Sequence, residues 1–208
     1  AGAAAAIEAD IAGCEITSNA SCTTNAASPL VAILDEVVGI ERALLNTVHA
    51  YTASQSLVDS PNKKDFRDGR AAGANIVPSA TGAAIAVTKA YPSLEGKFDG
   101  IAIRVPVPVG SMVDITFVAR RPTSVVEVNA ALTAAAATAR WQGLFAVTQE
   151  PMVSSDIVGA TFASIADLSY TLVADGTLVK VLAWYDNEIG YTHTLVEHVA
   201  AVGKMITR

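Results

Sequence analysis

The chain has 208 residues, 51% of them hydrophobic and 16% charged. It is long enough for one substantial core and poorer in charge than an ordinary soluble domain. A formal charge of −6 with no basic stripe argues against nucleic acid as a main partner, and no apolar run approaches the roughly 18 residues of a membrane span.

Residues 1–13, AGAAAAIEADIAG, repeat alanine without usable periodicity and carry no signal-peptide pattern. Residues 18–25 read SNASCTTN, and beyond them Leu30, Val31, Ile33, Leu34, Val37 and Val38 recur at three- and four-residue spacing until Gly39. That pattern predicts a helix whose N-terminus lies at Cys22 or just before it. Residues 40–51 read as a strand running back alongside the helix, with His49 near its end. Residues 52–75 are polar and carry the turn signals Ser60-Pro61-Asn62 and Asp68-Gly69. A loop of this length is usually functional or interface-forming.

Residues 81–91 predict a short helix entered from SATG. Residues 98–106 and 111–121 alternate apolar and polar positions as half-buried strands do, with Pro106 and Pro108 marking the break between them. Ser124 and Glu127 form a capping box ahead of an alanine-rich helix reaching about Arg140. Strands are expected at 144–148, 163–173 and 177–185, the last two joined across the hairpin signal Ala174-Asp175-Gly176. A final helix begins at Glu188 or Tyr191 and runs to about Met205, with Leu195, Val196, Val199, Val202 and Ile206 as its apolar positions. Strands joined by hairpins, with few helices between them, define an α+β fold: a mostly antiparallel sheet with helices packed on one face.

Two of these residues suggest chemistry. At a helix start, unpaired N–H groups and the helix dipole favour a thiolate at Cys22. His49 supplies a base, and Cys–His is a recurrent nucleophile–base pair. A buried inert cysteine beside a satisfied core histidine is the alternative. Two cysteines are too few for a disulfide scaffold, and a working thiolate prefers a reducing compartment, so a cytoplasmic location is expected. No metal-ligand spacing is present: His193 and His198 are five apart on the last helix and do not share a face.

SNASCTTN followed by Pro29, TVHAYTASQ at 47–55, RDGRAAGANIVPSATGAA at 67–84, RVPVP at 104–108 and WYDNEIGY at 184–191 occur in one order along the chain. In wording and order these blocks resemble the phosphorylating glyceraldehyde-3-phosphate dehydrogenases. The resemblance implies that Cys22 attacks an aldehyde, that His49 is its base, and that hydride passes to NAD or NADP before phosphate cleaves a thioester. It places the C3 phosphate of glyceraldehyde 3-phosphate on Thr52 and Arg104. Inorganic phosphate falls to Ser21, Thr23, Thr81 and Gly82 with Arg67 assisting, and the nicotinamide to Asn187 and Tyr191. It also implies a homotetramer with the 52–75 loop across a subunit interface.

The chain departs from the family at Ile85, where lysine is usual, at Ile189, where tryptophan is usual, and at Ala26, where a second cysteine is frequent. No two glycines stand two apart, so the GxGxxG fingerprint of a Rossmann domain cannot occur. The expected division is a lead-in at 1–17, a catalytic domain at 18–187, and a helix at 188–208 that docks on a nucleotide-binding domain absent from this chain. Erythrose-4-phosphate dehydrogenase shares the Cys–His pair. A stand-alone domain with only acyl-transfer, esterase or assembly function is the reading outside oxidation.

Overall fold

The computed structural model describes residues 14–205. Helix α1 (Cys22–Val37) starts on the N-cap Ser21, whose hydroxyl accepts the Thr24 N–H, and strand β1 (Ile40–Ala50) follows it. Next come an edge strand β2 (Val77–Ala80), helix α2 (Ala83–Ala90), and strands β3 (Phe98–Val105) and β4 (Ser111–Ala119). Helix α3 (Val125–Ala136) is capped by Ser124 through the Glu127 N–H, the hydrogen bond that the capping box predicts. Strands β5 (Phe145–Thr148), β6 (Ser164–Ala174) and β7 (Leu178–Tyr185) lead into helix α4 (Ile189–Met205). Two sequence readings, the structure of residues 1–13 and the apolar position Ile206, lie outside the described residues.

The seven strands form one sheet in the order β2-β3-β1-β4-β7-β6-β5. The α+β reading holds: four of the six neighbouring pairs are antiparallel. Three details differ from it. β3 and β4 do not form a hairpin, because β1 lies between them and pairs with β3 in parallel. β5 also runs parallel to β6. The sequence reading had no β2, whose Pro78 obscures it; proline is tolerated there because β2 is an edge strand. The β6–β7 connection is as expected, with Asp175 and Gly176 both at positive φ, 49° and 67°. Helix α3 stops at Ala136 rather than Arg140, its end tightening into i→i+3 bonds from Ala137 and Thr138.

Helices α1, α2 and α3 cover one face of the sheet. The α1 residues Ala27, Leu30, Val31 and Leu34 and the sheet residues Leu45, Val113, Ile115, Phe117, Val179, Val181 and Ala183 belong to one buried cluster. The other face carries Leu44, Asn46, Ile101, Asp114, Thr116, Lys180 and Leu182 in register. Leu44 and Ile101 on it are exposed. Asp114 and Lys180 form an ion pair across it. Among the described residues no helix is long and apolar enough to cross a membrane.

Candidate active site

Parallel pairing of β1 with β3 sets His49 directly opposite Arg104. It also brings the two strand exits together, with the Tyr51 N–H bonded to Val107 O. Cys22, the first residue of α1, then meets the strand end from above: its Sγ lies 3.4 Å from His49 Nε2. The turn into α1 is tight. Ala20 has a φ of 54°, in the left-handed region that alanine enters only at a cost of about 1–2 kcal/mol. Asn25 holds that turn by donating to Asn19 O and Ser21 O.

His49 is buried. Its Nδ1 is 2.6 Å from Ala50 O and 2.5 Å from Arg104 Nη1, which is itself 3.3 Å from Ala50 O. Burial, and after it the Arg104 charge, press the imidazole pKa down to about 4. The ring is therefore neutral at pH 7. Burial also pushes the Cys22 thiol up, against the Thr23 backbone N–H and the Arg104 charge, which pull it down. Desolvation there opposes the pull toward a thiolate that the helix-start N–H groups exert.

Below the pair runs a buried line of hydroxyls. Thr47 Oγ1 donates to Met112 O at 3.1 Å and lies 2.7 Å from Tyr185 Oη, which lies 2.8 Å from Thr23 Oγ1. Each hydroxyl has one proton. Since that of Thr47 is spent on Met112, Tyr185 donates to Thr47 and Thr23 donates to Tyr185. The Tyr185 ring also meets His49 edge-on, 5.8 Å between centroids. Sequence reasoning missed Tyr185 and Thr47. Their signal was their place inside two of the quoted blocks, at inward-facing strand positions.

The other expected site residues fall into three groups. Thr52 lies just past β1, its N–H on Gln55 Oε1 and its hydroxyl beside Ser54, at the same end of the sheet as Arg104. Arg104, expected on the C3 phosphate, is folded onto His49 and Ala50. Ser21 is exposed at the N-cap, whereas Thr23 is buried with its hydroxyl on Tyr185 and so faces inward, away from an incoming anion. Thr81 accepts the Ala83 N–H at the start of α2, next to Gly82, and exposed Arg67 pairs with Asp65. No hydrogen bond among the described residues joins Thr81, Gly82 or Arg67 to Cys22, His49 or Arg104.

Asn187 Oδ1 accepts from the Gly110 N–H and the Ser111 hydroxyl, each at 3.0 Å. Ser111 also accepts the Ala50 N–H, so the strand end carrying His49 is tied to Asn187. With the carbonyl doubly engaged, the amide NH₂ is what Asn187 can offer a ligand. Asp186, buried, fixes that corner by accepting the N–H groups of Gly159, Glu188 and Ile189. Tyr191 follows in the first turn of α4, and Thr194 in the next turn accepts from Asn19. His198 contacts Thr17, far along the same helix. Among the described residues no three His, Cys, Asp or Glu side chains are grouped to hold a metal.

A cysteine sulfur 3.4 Å from a histidine nitrogen at a helix start, on an α+β sheet, marks a candidate thiol-nucleophile site. The family profile described as glyceraldehyde 3-phosphate dehydrogenase, C-terminal domain, matches residues 21–187. The chain is 50% identical over 191 residues to glyceraldehyde-3-phosphate dehydrogenase of Mycobacterium avium, covering 92% of this chain and 56% of that protein. It is 47% identical over 191 residues to glyceraldehyde-3-phosphate dehydrogenase 2 of Streptomyces avermitilis, covering 92% and 56%. Against glyceraldehyde-3-phosphate dehydrogenase 2 of Schizosaccharomyces pombe it is 46% identical over 186 residues, covering 89% and 55%. The chain belongs to the glyceraldehyde 3-phosphate dehydrogenase C-terminal domain family. It spans about half the length of the curated relatives it matches.

Proposed function

We propose that this chain is the catalytic part of an enzyme that oxidises glyceraldehyde 3-phosphate, with inorganic phosphate and NAD or NADP, to 1,3-bisphosphoglycerate. The observation that carries the reading is the 3.4 Å contact between Cys22 Sγ and His49 Nε2 in a chain of this family. As the sulfur adds to the aldehyde carbon, His49 takes the thiol proton and passes it to the new alkoxide, giving a thiohemiacetal. The backbone N–H groups at the start of α1 stabilise that oxygen. His49 then removes the hydroxyl proton as hydride leaves, and a thioester remains on Cys22. A phosphate oxygen adds to the thioester carbonyl, the C–S bond breaks, and His49 returns its proton to the sulfur.

Ser21, Thr81 and Gly82, with Arg67, are assigned to the attacking phosphate, and Thr52 with Arg104 to the C3 phosphate. Thr23, its hydroxyl buried on Tyr185, supports the sulfur through its backbone N–H instead. The dinucleotide fits Asn187 in one respect: its free NH₂ matches a carboxamide oxygen, with Tyr191 beside the ring. A nicotinamide held by Asn187 and Tyr191 would supply the hydride acceptor. The exposed apolar side chains of α4, Ile189, Val196 and Val199, suit docking of residues 188–208 on a nucleotide-binding domain. The open sheet face and the exposed Leu57, Val58 and Phe66 of the 52–75 loop suit contacts between copies in a homotetramer. A thiol nucleophile suits a reducing compartment such as the cytoplasm.

Positioning hydride donor and acceptor contributes about 7–11 kcal/mol of barrier lowering, and Asn187 and Tyr191 reach only one end of the cofactor. The 208-residue chain alone is therefore expected to hydrolyse an activated ester slowly at Cys22 and to form no NADH. The test adds glyceraldehyde 3-phosphate, phosphate and NAD to this chain and to the chain joined to a nucleotide-binding domain. NADH from the joined protein, abolished by Cys22→Ser, supports the reading. No turnover there, or turnover that survives Cys22→Ser, refutes it.

A further inference from the structure

The Asn187 amide is held in one orientation. Gly110 N–H, 3.0 Å from Oδ1, can only donate, so a flipped amide would set its NH₂ against another donor. A glycine is needed to bring that N–H so close: Gly110 has a φ of 95°, and a Cβ on it would stand 2.5 Å from Ser154 O. Ser111 is fixed in turn. Asn187 Oδ1 can only accept, so the single Ser111 hydroxyl proton goes to it at 3.0 Å, and a lone pair takes the Ala50 N–H at 3.1 Å.

The line continues to the base. Ala50 is fully buried, and its carbonyl lies 2.6 Å from His49 Nδ1. A carbonyl can only accept, so that nitrogen carries the hydrogen and Nε2 faces the Cys22 sulfur at 3.4 Å. The Tyr51 N–H is on Val107 O, so both peptide groups flanking Ala50 are engaged. Ser111, 1% exposed, thus bonds both the strand end that carries the base and the side chain assigned to the nicotinamide.

We propose that Ser111 is a positioning residue that couples the two halves of the site, so that a carboxamide seated on Asn187 tightens the hold on Ala50 and, through Ala50, on His49. The proposal rests on the reading of Asn187 as the nicotinamide contact. When the free NH₂ donates to a carboxamide oxygen, Asn187 Oδ1 becomes a better acceptor. The Ser111 hydroxyl donates to it more strongly and so accepts the Ala50 N–H more strongly, because hydrogen bonds in a chain polarise one another. The coupling is reciprocal: whatever the nicotinamide adds to the hold on Ala50, an intact Ser111 adds to the hold on the nicotinamide.

The protein joined to its nucleotide-binding domain is given NAD or NADP and, separately, ADP-ribose or 2′-phospho-ADP-ribose, the same ligands without nicotinamide. Exchange of the Ala50 amide hydrogen is followed by fragmentation mass spectrometry, and affinities by calorimetry. In the wild type the dinucleotide should slow exchange at Ala50 about three- to tenfold beyond its nicotinamide-free analogue, the range of one hydrogen bond. In Ser111→Ala that difference should vanish. Dinucleotide affinity should fall by about the same factor, with affinity for the analogue unchanged. Ser111→Cys, a weaker donor and acceptor of similar size, should fall between, and it serves as the test should the alanine variant not fold. Equal exchange at Ala50 with both ligands bound to the wild type overturns the coupling alone. A variant that keeps the wild-type difference removes Ser111 from it. Equal dinucleotide affinity in the wild type and Asn187→Ala overturns the coupling together with the nicotinamide reading of Asn187.

Discussion

Replacing Tyr185 by phenylalanine removes one oxygen from the most buried polar contact under the site. The ring stays, so its packing and its edge contact with His49 at 5.8 Å stay too. Thr47 loses the hydrogen bond it accepts at 2.7 Å but keeps the one it donates to Met112 O. Thr23, only 4% exposed, loses the acceptor for its hydroxyl at 2.8 Å. One net hydrogen bond is worth about 1 kcal/mol and an orphaned buried donor costs about 1–3 kcal/mol, so a loss of about 2–4 kcal/mol is expected. Equilibrium urea unfolding measures it. Thr47→Val removes the same Thr47–Tyr185 bond, so the double variant should be less destabilised than additivity requires. A loss below about 0.5 kcal/mol for Tyr185→Phe, or full additivity with Thr47→Val, would show that the hydroxyl line is not formed.

His49→Asn should slow the pre-steady-state burst of the enzyme with its nucleotide-binding domain by about 10²–10⁴, the usual worth of a lost general base; an unchanged burst removes His49 from the mechanism. The folded protein keeps His49 neutral down to about 4, whereas its ordinary value is 6.5. Below 6.5 the unfolded chain therefore binds a proton that the folded one refuses, and stability falls with pH until about 4, by at most about 3 kcal/mol. His49→Asn should flatten that slope in urea unfolding across the same window, and an equally steep fall in the variant would refute the assignment. Burial raises the Cys22 thiol, so its alkylation by iodoacetamide in the resting protein should rise only above the ordinary thiol range. A midpoint below that range would show that the helix start prevails over desolvation.

Much of this fold can be read from local pattern. The α1 periodicity, the Ser124 cap and the Asp175-Gly176 turn each fix a short-range feature, and each is found where the pattern puts it. Strand order is different: β1 lies between β3 and β4 because of long-range pairing, which alternation of apolar residues does not encode. Pro78 hid β2 for a related reason, since only the sheet order reveals that it is an edge. At the site, Cys22 and His49 were recognisable from residue type and neighbouring wording. Their ionisation was not, because burial opposes the helix start and depends on packing. Thr23 and Arg104 were readable as polar groups near an anion. That one turns inward to Tyr185 and the other folds onto His49 is set by side-chain geometry alone.

The central claim is that a thioester forms on Cys22. The enzyme with its nucleotide-binding domain, mixed with glyceraldehyde 3-phosphate and NAD in phosphate-free buffer and quenched in acid within one turnover, should carry one acyl group. Fragmentation mass spectrometry should place it on Cys22 and not on Cys14, and added phosphate should discharge it. An acyl group on another residue, or an unmodified Cys22 while NADH accumulates, would contradict the account.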